Sequence, residues 1–179
     1  MIVLSGASAS GKTEVAKLLA SKYGITKVIT TTTRNMRINE VAGRDYFFVS
    51  KERFQEMIKE DLFVEYTLYS NNYYGSTKDQ IKPNKCIVID ANGLEAYISL
   101  HDPNIMTFFL EATEDTRYKR MIQRGDKEED AKARIINDRN AFDMTKIKNV
   151  DVLIDSEHYN VEEVADHIYK LYREKHSIK

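Results

Sequence analysis

Two rhythms of apolar positions alternate along the chain. Short, nearly unbroken apolar runs, first MIVL at the N-terminus and then VITT, CIVID, IMTFFL and DVLID, have the continuity of strands buried on both faces. Between them apolar residues recur at steps of three and four; Val15, Leu18, Leu19 and Ala16 fall on one face of a helix over 12–22. The order predicted is strand 1–4, helix 12–22, strand 27–31, a charged loop, short strands near 45–49 and 62–69, and a helix near 77–82. It continues as strand 86–90, helix 92–100, strand 105–110, helices 114–124 and 128–142, strand 150–154 and helix 161–174. Strands alternating with helices predict an α/β protein, a parallel sheet with helices on both faces. Residues 36–76 break the alternation with short polar strands rich in Tyr and Phe, which predicts a small antiparallel insert.

Composition narrows the class. The 179 residues suffice for one well-cored domain, with only Pro83 and Pro103 and no Gly/Ser-rich linker to divide them. Lys and Arg number 27 against 28 Asp and Glu, so no global basic field points to nucleic acid. The single cysteine, Cys86, lies inside an apolar run and excludes an internal disulfide; it is expected as a buried, reduced thiol in a cytoplasmic protein. No apolar stretch approaches the roughly 20 residues of a membrane helix, and the N-terminus runs straight into a strand without a signal-peptide layout.

The chemistry begins in LSGASASGKT, residues 4–13. Gly6, four intervening residues and then Gly11-Lys12-Thr13 match the phosphate-loop pattern, set between a strand and a helix as that motif requires. Glycines at both ends open backbone conformations closed to residues with a Cβ, so that the N–H groups of Gly6, Ala7, Ser8, Ala9, Ser10 and Gly11 can turn toward phosphate oxygens. Lys12 brings a mobile positive charge, Thr13 a hydroxyl for magnesium, and the helix N-terminus a favourable dipole. A nucleoside triphosphate such as ATP is therefore expected here, and the insert beside it is a natural second substrate site. Arg34 and Arg37 follow a strand three residues apart, with Arg44 and Tyr46 beyond them, a spacing suited to gripping one phosphate from two sides.

These segments together resemble one family. TTRNMRINEVAGRDYFFVS is similar to the guanylate kinase signature T-T-R-x-P-R-x-G-E-x-x-G-x-D-Y-x-F-V, and FVEYTLYSNNYYGST to that family's F-x-E-x-x-x-x-x-x-x-Y-Y-G-[ST] segment. The resemblance runs from about residue 1 to 175 and implies a P-loop NTPase core, a nucleoside-monophosphate-binding insert and a helical lid. It puts the core at 1–30, 77–115 and 140–179, the insert at about 31–76 and the lid at about 116–139. Carried over residue by residue, it implies that Arg34, Arg37, Tyr46 and Tyr74 surround the acceptor's phosphate, with Glu40 in the same motif. Glu65, Asp90, Thr30 and Ser76 would face its base. Arg120, Arg124 and Arg134 would fold over the ATP phosphates, while Arg117 and Arg139 are expected on a solvated helix face. The activity implied is ATP plus GMP, and by the same base dGMP, giving ADP and the diphosphate, with Mg²⁺, in a monomer or homodimer that binds no nucleic acid or membrane. Guanine presents N1–H and N2–H₂ donors beside an O6 acceptor, so a carboxylate at Glu65 suits it, whereas adenine's N1 acceptor would leave that carboxylate unpaired.

The chain departs from the pattern in places. Met36 and Asn39 stand where the family has Pro and Gly, one aspartate stands where it commonly shows D-x-D, and the lid is one residue shorter between Arg124 and Arg134. Two other functions fit part of the pattern: a kinase of a different small phosphorylated acceptor, and a non-catalytic phosphopeptide-binding domain. The latter typically loses the phosphate loop, and here Gly6, Gly11, Lys12 and Thr13 all stand.

Overall fold

The computed structural model describes residues 1–142 and 149–177. Strands β1 (Ile2–Ser5), β2 (Thr26–Lys27), β7 (Lys85–Val88), β8 (Met106–Glu111) and β9 (Val152–Asp155) form one parallel sheet in the order β2-β7-β1-β8-β9. Alternate residues of β1 separate the two faces of its core. Ile2 and Leu4 pack with Val15 and Leu19 of α1 (Lys12–Tyr23) and with Val164, Ala165 and Ile168 of α6 (Val161–Ser177). Met1 and Val3 pack with Leu94 and Tyr97 of α3 (Ala91–Ser99) on the other face. Helices therefore cover both faces, as buried parallel strands require. Cys86 is a free thiol, 1% exposed, and burial pushes its pKa up to about 12, which leaves it unreactive. Among the described residues no helix is long and apolar enough to cross a membrane.

The second sheet has the order β4-β3-β6-β5, built from β3 (Thr31–Thr32), β4 (Phe47–Phe48), β5 (Phe63–Tyr69) and β6 (Asn72–Thr77). It corrects several expectations. The strand placed at 27–31 is split: β2 joins the core sheet, while β3 joins the insert sheet five residues on. Val28 is what made the run look continuous, being 1% exposed with its N–H bonded to Cys86 O at 2.8 Å. The sheet is mixed and not antiparallel, because β3 and β4 run parallel while β3–β6 and β5–β6 are antiparallel. Helix α2 (Lys51–Lys59) was missed; Ser50 caps it by accepting Arg53 N–H, and Phe54, fully buried, stacks on Phe63 and Tyr73. Strand β6 was missed as well, although Ser70 and Asn71 at positive φ make the two-residue turn of a β5–β6 hairpin. The helix placed at 77–82 is a single 3₁₀ turn, Lys78–Gln80.

Helices α4 (Glu114–Gln123) and α5 (Glu128–Ala141) pack on one another through Met121, Ala131 and Ile135. The last segment expected for the core, 140–179, includes residues 143–148 and 178–179, which lie outside the described residues.

Candidate active site

At the C-terminal end of β1 the chain turns sharply into the phosphate loop. Gly6 has φ 145, and a Cβ there would stand 2.5 Å from Leu110 O, so glycine is demanded by both conformation and space. Ala9 and Gly11 also take positive φ, and Gly11 opens directly into α1 as its N-cap residue. Lys12 Nζ bonds Gly6 O at 2.6 Å and Ala7 O at 2.8 Å. Burial pulls its pKa down to about 8, Asp138 opposing and Arg117 reinforcing that shift. Ala9, Ser10, Gly11, Lys12 and Thr13 line a cavity of about 500 Å³, together with Arg120 and Arg124. The loop's other half is held from outside: Asp138 of α5 accepts the Ser8 N–H at 2.8 Å and the Ser8 hydroxyl at 3.2 Å.

Of the arginines expected over the donor phosphates, Arg120 is drawn closest to the loop, bonding Ala9 O at 3.3 Å and Ser156 O at 2.5 Å. Arg124 forks onto Asp126 at 3.0 and 2.6 Å, and Arg134 lies 3.7 Å from the same carboxylate. Arg124 thereby holds the Asp126 carboxyl below the usual range. Arg139 is exposed and pairs with Glu114, but Arg117 is not on a solvated face. It is 5% exposed and pairs with Asp138 at 2.7 Å, which the sequence could not show because Asp138 lies on the next helix. Breaking this pair leaves a buried carboxylate without its cation. Arg117→Leu is expected to cost about 3 kcal/mol of stability, read as a lowered urea midpoint with an unchanged slope.

The insert carries the other candidates. Arg34 bonds Glu40 at 2.6 Å and Asn35 O at 2.6 Å, with its guanidinium 5.4 Å from the Tyr46 ring centre and 5.8 Å from that of Phe48. Glu40 also accepts the Arg37 N–H at 2.8 Å, so this carboxylate organises the arginine loop; the Arg34 bond chiefly, then Arg37, lowers its pKa. Arg37 is exposed, and Tyr46 and Tyr74 meet edge to face at 6.2 Å. Thr30 accepts Phe47 N–H through its carbonyl at 3.0 Å, just before β3.

Glu65 sits on β5 opposite Ser76, after a register shift between Phe63 and Glu65 that marks a β-bulge. Bulges re-aim side chains, and here the Glu65 carboxylate turns back to its neighbour strand, accepting Ser76 N–H at 3.1 Å and Ser76 O–H at 2.7 Å. Burial raises its pKa, the Ser76 bonds oppose the rise, and the charge of Asp90 adds to it. Asp90 is exposed and caps α3, its Oδ1 accepting Gly93 N–H at 2.9 Å. Capping is a third task for a residue whose sequence context offered only base or magnesium, and the nearby strand offers Val88 where a second aspartate would stand.

Ser156, Tyr159 and Asn160 went unrecognised in the sequence and share the cavity with the phosphate loop. A positional signal was present: they follow β9, at the carboxyl end of a parallel strand, where open α/β sheets bind ligands. Asp138 and Tyr97 carried no such signal.

Comparison with known proteins places these features in context. The family model described as "Guanylate kinase" matches residues 1–174. A guanylate kinase of Mycoplasma mobile is 35% identical over 164 residues, covering 83% of this chain and 80% of that one. One from Helicobacter pylori is 34% identical over 167 residues, covering 88% and 79% respectively. Among solved structures, the guanylate kinase of Anaplasma phagocytophilum superposes with a TM-score of 0.65 at 23% identity, covering 98% of this chain and 85% of that one, and shares the fold.

Proposed function

The chain belongs to the guanylate kinase family, and from that premise we propose that it transfers the γ-phosphoryl group of ATP to GMP, giving ADP and GDP. The observation that carries the choice of acceptor is the half-buried Glu65 carboxylate. One of its oxygens is satisfied by Ser76, and the other can meet the N1–H and N2–H₂ edge of guanine. The deoxynucleotide dGMP presents the same edge.

Phosphoryl transfer asks little covalent chemistry of a protein; it asks for in-line positioning and for cancellation of charge on the equatorial oxygens. Lys12, Arg120, Arg124 and Arg134 supply positive charge to the ATP phosphates. Their present partners are backbone carbonyls or Asp126, which they exchange for phosphate oxygens when nucleotide enters. Arg34, Arg37, Tyr46 and Tyr74 hold the acceptor phosphate, with Glu40 keeping the arginine loop in shape. No general base is needed, since the attacking phosphate oxygen is already an anion.

The residues present fit Mg²⁺ held in the manner usual for this ion. Thr13, exposed on the first turn of α1, offers a hydroxyl beside the Gly6–Lys12 loop. Thr13 would hold the ion beside the phosphates, where it would supply positive charge against the charge of the phosphate oxygens. We further propose the division into a core, an insert over about 31–76 and a lid over about 116–139. The lid's task would be to exclude water, the competing acceptor.

The test is ADP release from ATP and Mg²⁺ in a coupled assay, with GMP, dGMP, AMP, CMP, UMP and dTMP offered separately beside a control without acceptor. Turnover confined to GMP and dGMP is expected. Turnover with a different base overturns the assignment of Glu65, and silence across the panel overturns the catalytic one.

A further inference from the structure

Tyr97 lies in the seam between the core and the insert, where α3 packs against β5. It is 1% exposed, and its ring belongs to the apolar cluster of Val3, Leu94 and Phe109. Its hydroxyl stands 3.0 Å from Ser76 Oγ, which in turn stands 2.7 Å from Glu65 Oε1. The phosphoryl-transfer scheme gives this hydroxyl no task. Burying a phenol costs free energy unless its O–H finds a partner, and here the partner is the serine that touches the base-reading carboxylate.

Proton counting gives the chain a direction. A serine hydroxyl has one proton to donate, and an ionised carboxylate can only accept. The Ser76 proton is therefore committed to Glu65, and the contact between Tyr97 and Ser76 is left for the tyrosine to donate. Both Ser76 bonds, through Oγ–H and N–H, fall on the same carboxylate oxygen, Oε1. The groups facing Glu65 are Ser76 from β6, Tyr97 from α3 and Asp90 at the N-cap of α3; burial and the Asp90 charge oppose its ionisation while Ser76 favours it. We infer that Tyr97 is a positioning residue for base recognition: by donating to Ser76 it commits the serine proton to Glu65 Oε1 and leaves Oε2 ionised and unshared for the guanine N1–H and N2–H₂ donors. Without that hydroxyl the Ser76 oxygen loses the donor that orients and polarises it, so its bond to Glu65 Oε1 weakens and Glu65 protonates more readily.

The inference rests on GMP being the acceptor, and the experiment separates the two. Tyr97→Phe keeps the ring and removes only the hydroxyl. Its KM for GMP is expected to rise roughly 5- to 20-fold, with KM for ATP and saturated kcat little changed. The acid limb of kcat/KM for GMP should move to higher pH, since Glu65 must be ionised and the variant makes ionisation harder; the titration of GMP's own phosphate is common to both enzymes and cancels. A structural role alone would move stability and both KM values without moving that limb. In a Ser76→Ala background the Tyr97→Phe change should add almost nothing, because Tyr97 acts through Ser76. If Tyr97→Phe does not yield folded protein, 3-fluorotyrosine at position 97, a stronger donor, should shift the acid limb to lower pH. GMP turnover by the wild type with an unmoved KM and acid limb, or an undiminished effect in the Ser76→Ala background, overturns the role of Tyr97 alone. Failure of the wild type to use GMP overturns the acceptor assignment and this inference with it.

Discussion

Lys12→Ala lowers the rate of phosphoryl transfer by roughly 10³-fold or more, because a positioned charge on the transferring group is lost. The fold should survive. Lys12 Nζ is held by the carbonyls of Gly6 and Ala7, which water can serve in its place, and the alanine removes a half-buried charge instead of creating one. Circular dichroism and the thermal midpoint of the variant should therefore match the wild type, and retained activity would remove the phosphate loop from the mechanism. The same lysine predicts a pH dependence. Its pKa is lowered by burial to about 8, so in the free enzyme its proton is lost as pH rises through that value, and kcat/KM for ATP should decline there. Its contribution to folding stability runs the other way. Between its folded pKa of about 8 and its ordinary value of 10.5, the unfolded chain binds more protons than the folded one, so that contribution grows with pH. Opposite slopes for activity and stability over one pH window are the signature of a partly buried cation placed to bind an anion.

The second large effect belongs to Glu65. Glu65→Gln should reduce kcat/KM for GMP by roughly 10²- to 10³-fold, since it replaces an acceptor with a group that can present N–H to guanine's own N–H donors. An amide can donate to adenine N1, so AMP should gain relative to GMP, and the ratio of the two specificity constants is the measurement that decides. Stability should hold or rise. Partial burial of Glu65 raises its pKa, so between its unfolded and folded values the native state binds more protons, and the contribution of this group falls as pH rises through that window. The glutamine variant should lack this slope. A variant that loses folding in step with GMP use would make Glu65 a structural residue.

The strands were legible where burial on both faces makes apolar runs continuous, as in CIVID and IMTFFL, and the core helices where the period of three and four is plain, as around Val15 and Leu19. Legibility failed in the insert. Helix α2 shows the helical step in Phe54, Met57 and Ile58, but it spans only nine residues, the other six of them polar or charged, so the period is too short to stand out. The 27–31 run looks continuous because Val28, bonded to β7 and packed in the core, carries the β2 pattern one residue on, toward β3 of the other sheet. In the candidate site, the phosphate loop and the arginine pair were visible because their chemistry is local: spacing along the chain is itself the geometry of Gly6, Gly11, Lys12 and Thr13.

What the sequence determined by itself was therefore the fold class and the local make-up of the Gly6–Thr13 loop and the Arg34/Arg37 loop, both of which depend on residues near one another in the chain. The tertiary structure alone decided which groups meet across long separations. Arg117 reaches Asp138 and through it Ser8, and Tyr97 reaches Ser76 and through it Glu65. Each of these is a short-range hydrogen bond or ion pair, worth something only within about 3 Å, between residues that no pattern of period two or 3.6 relates. Only packing α4 against α5, and α3 against β5, brings them within reach.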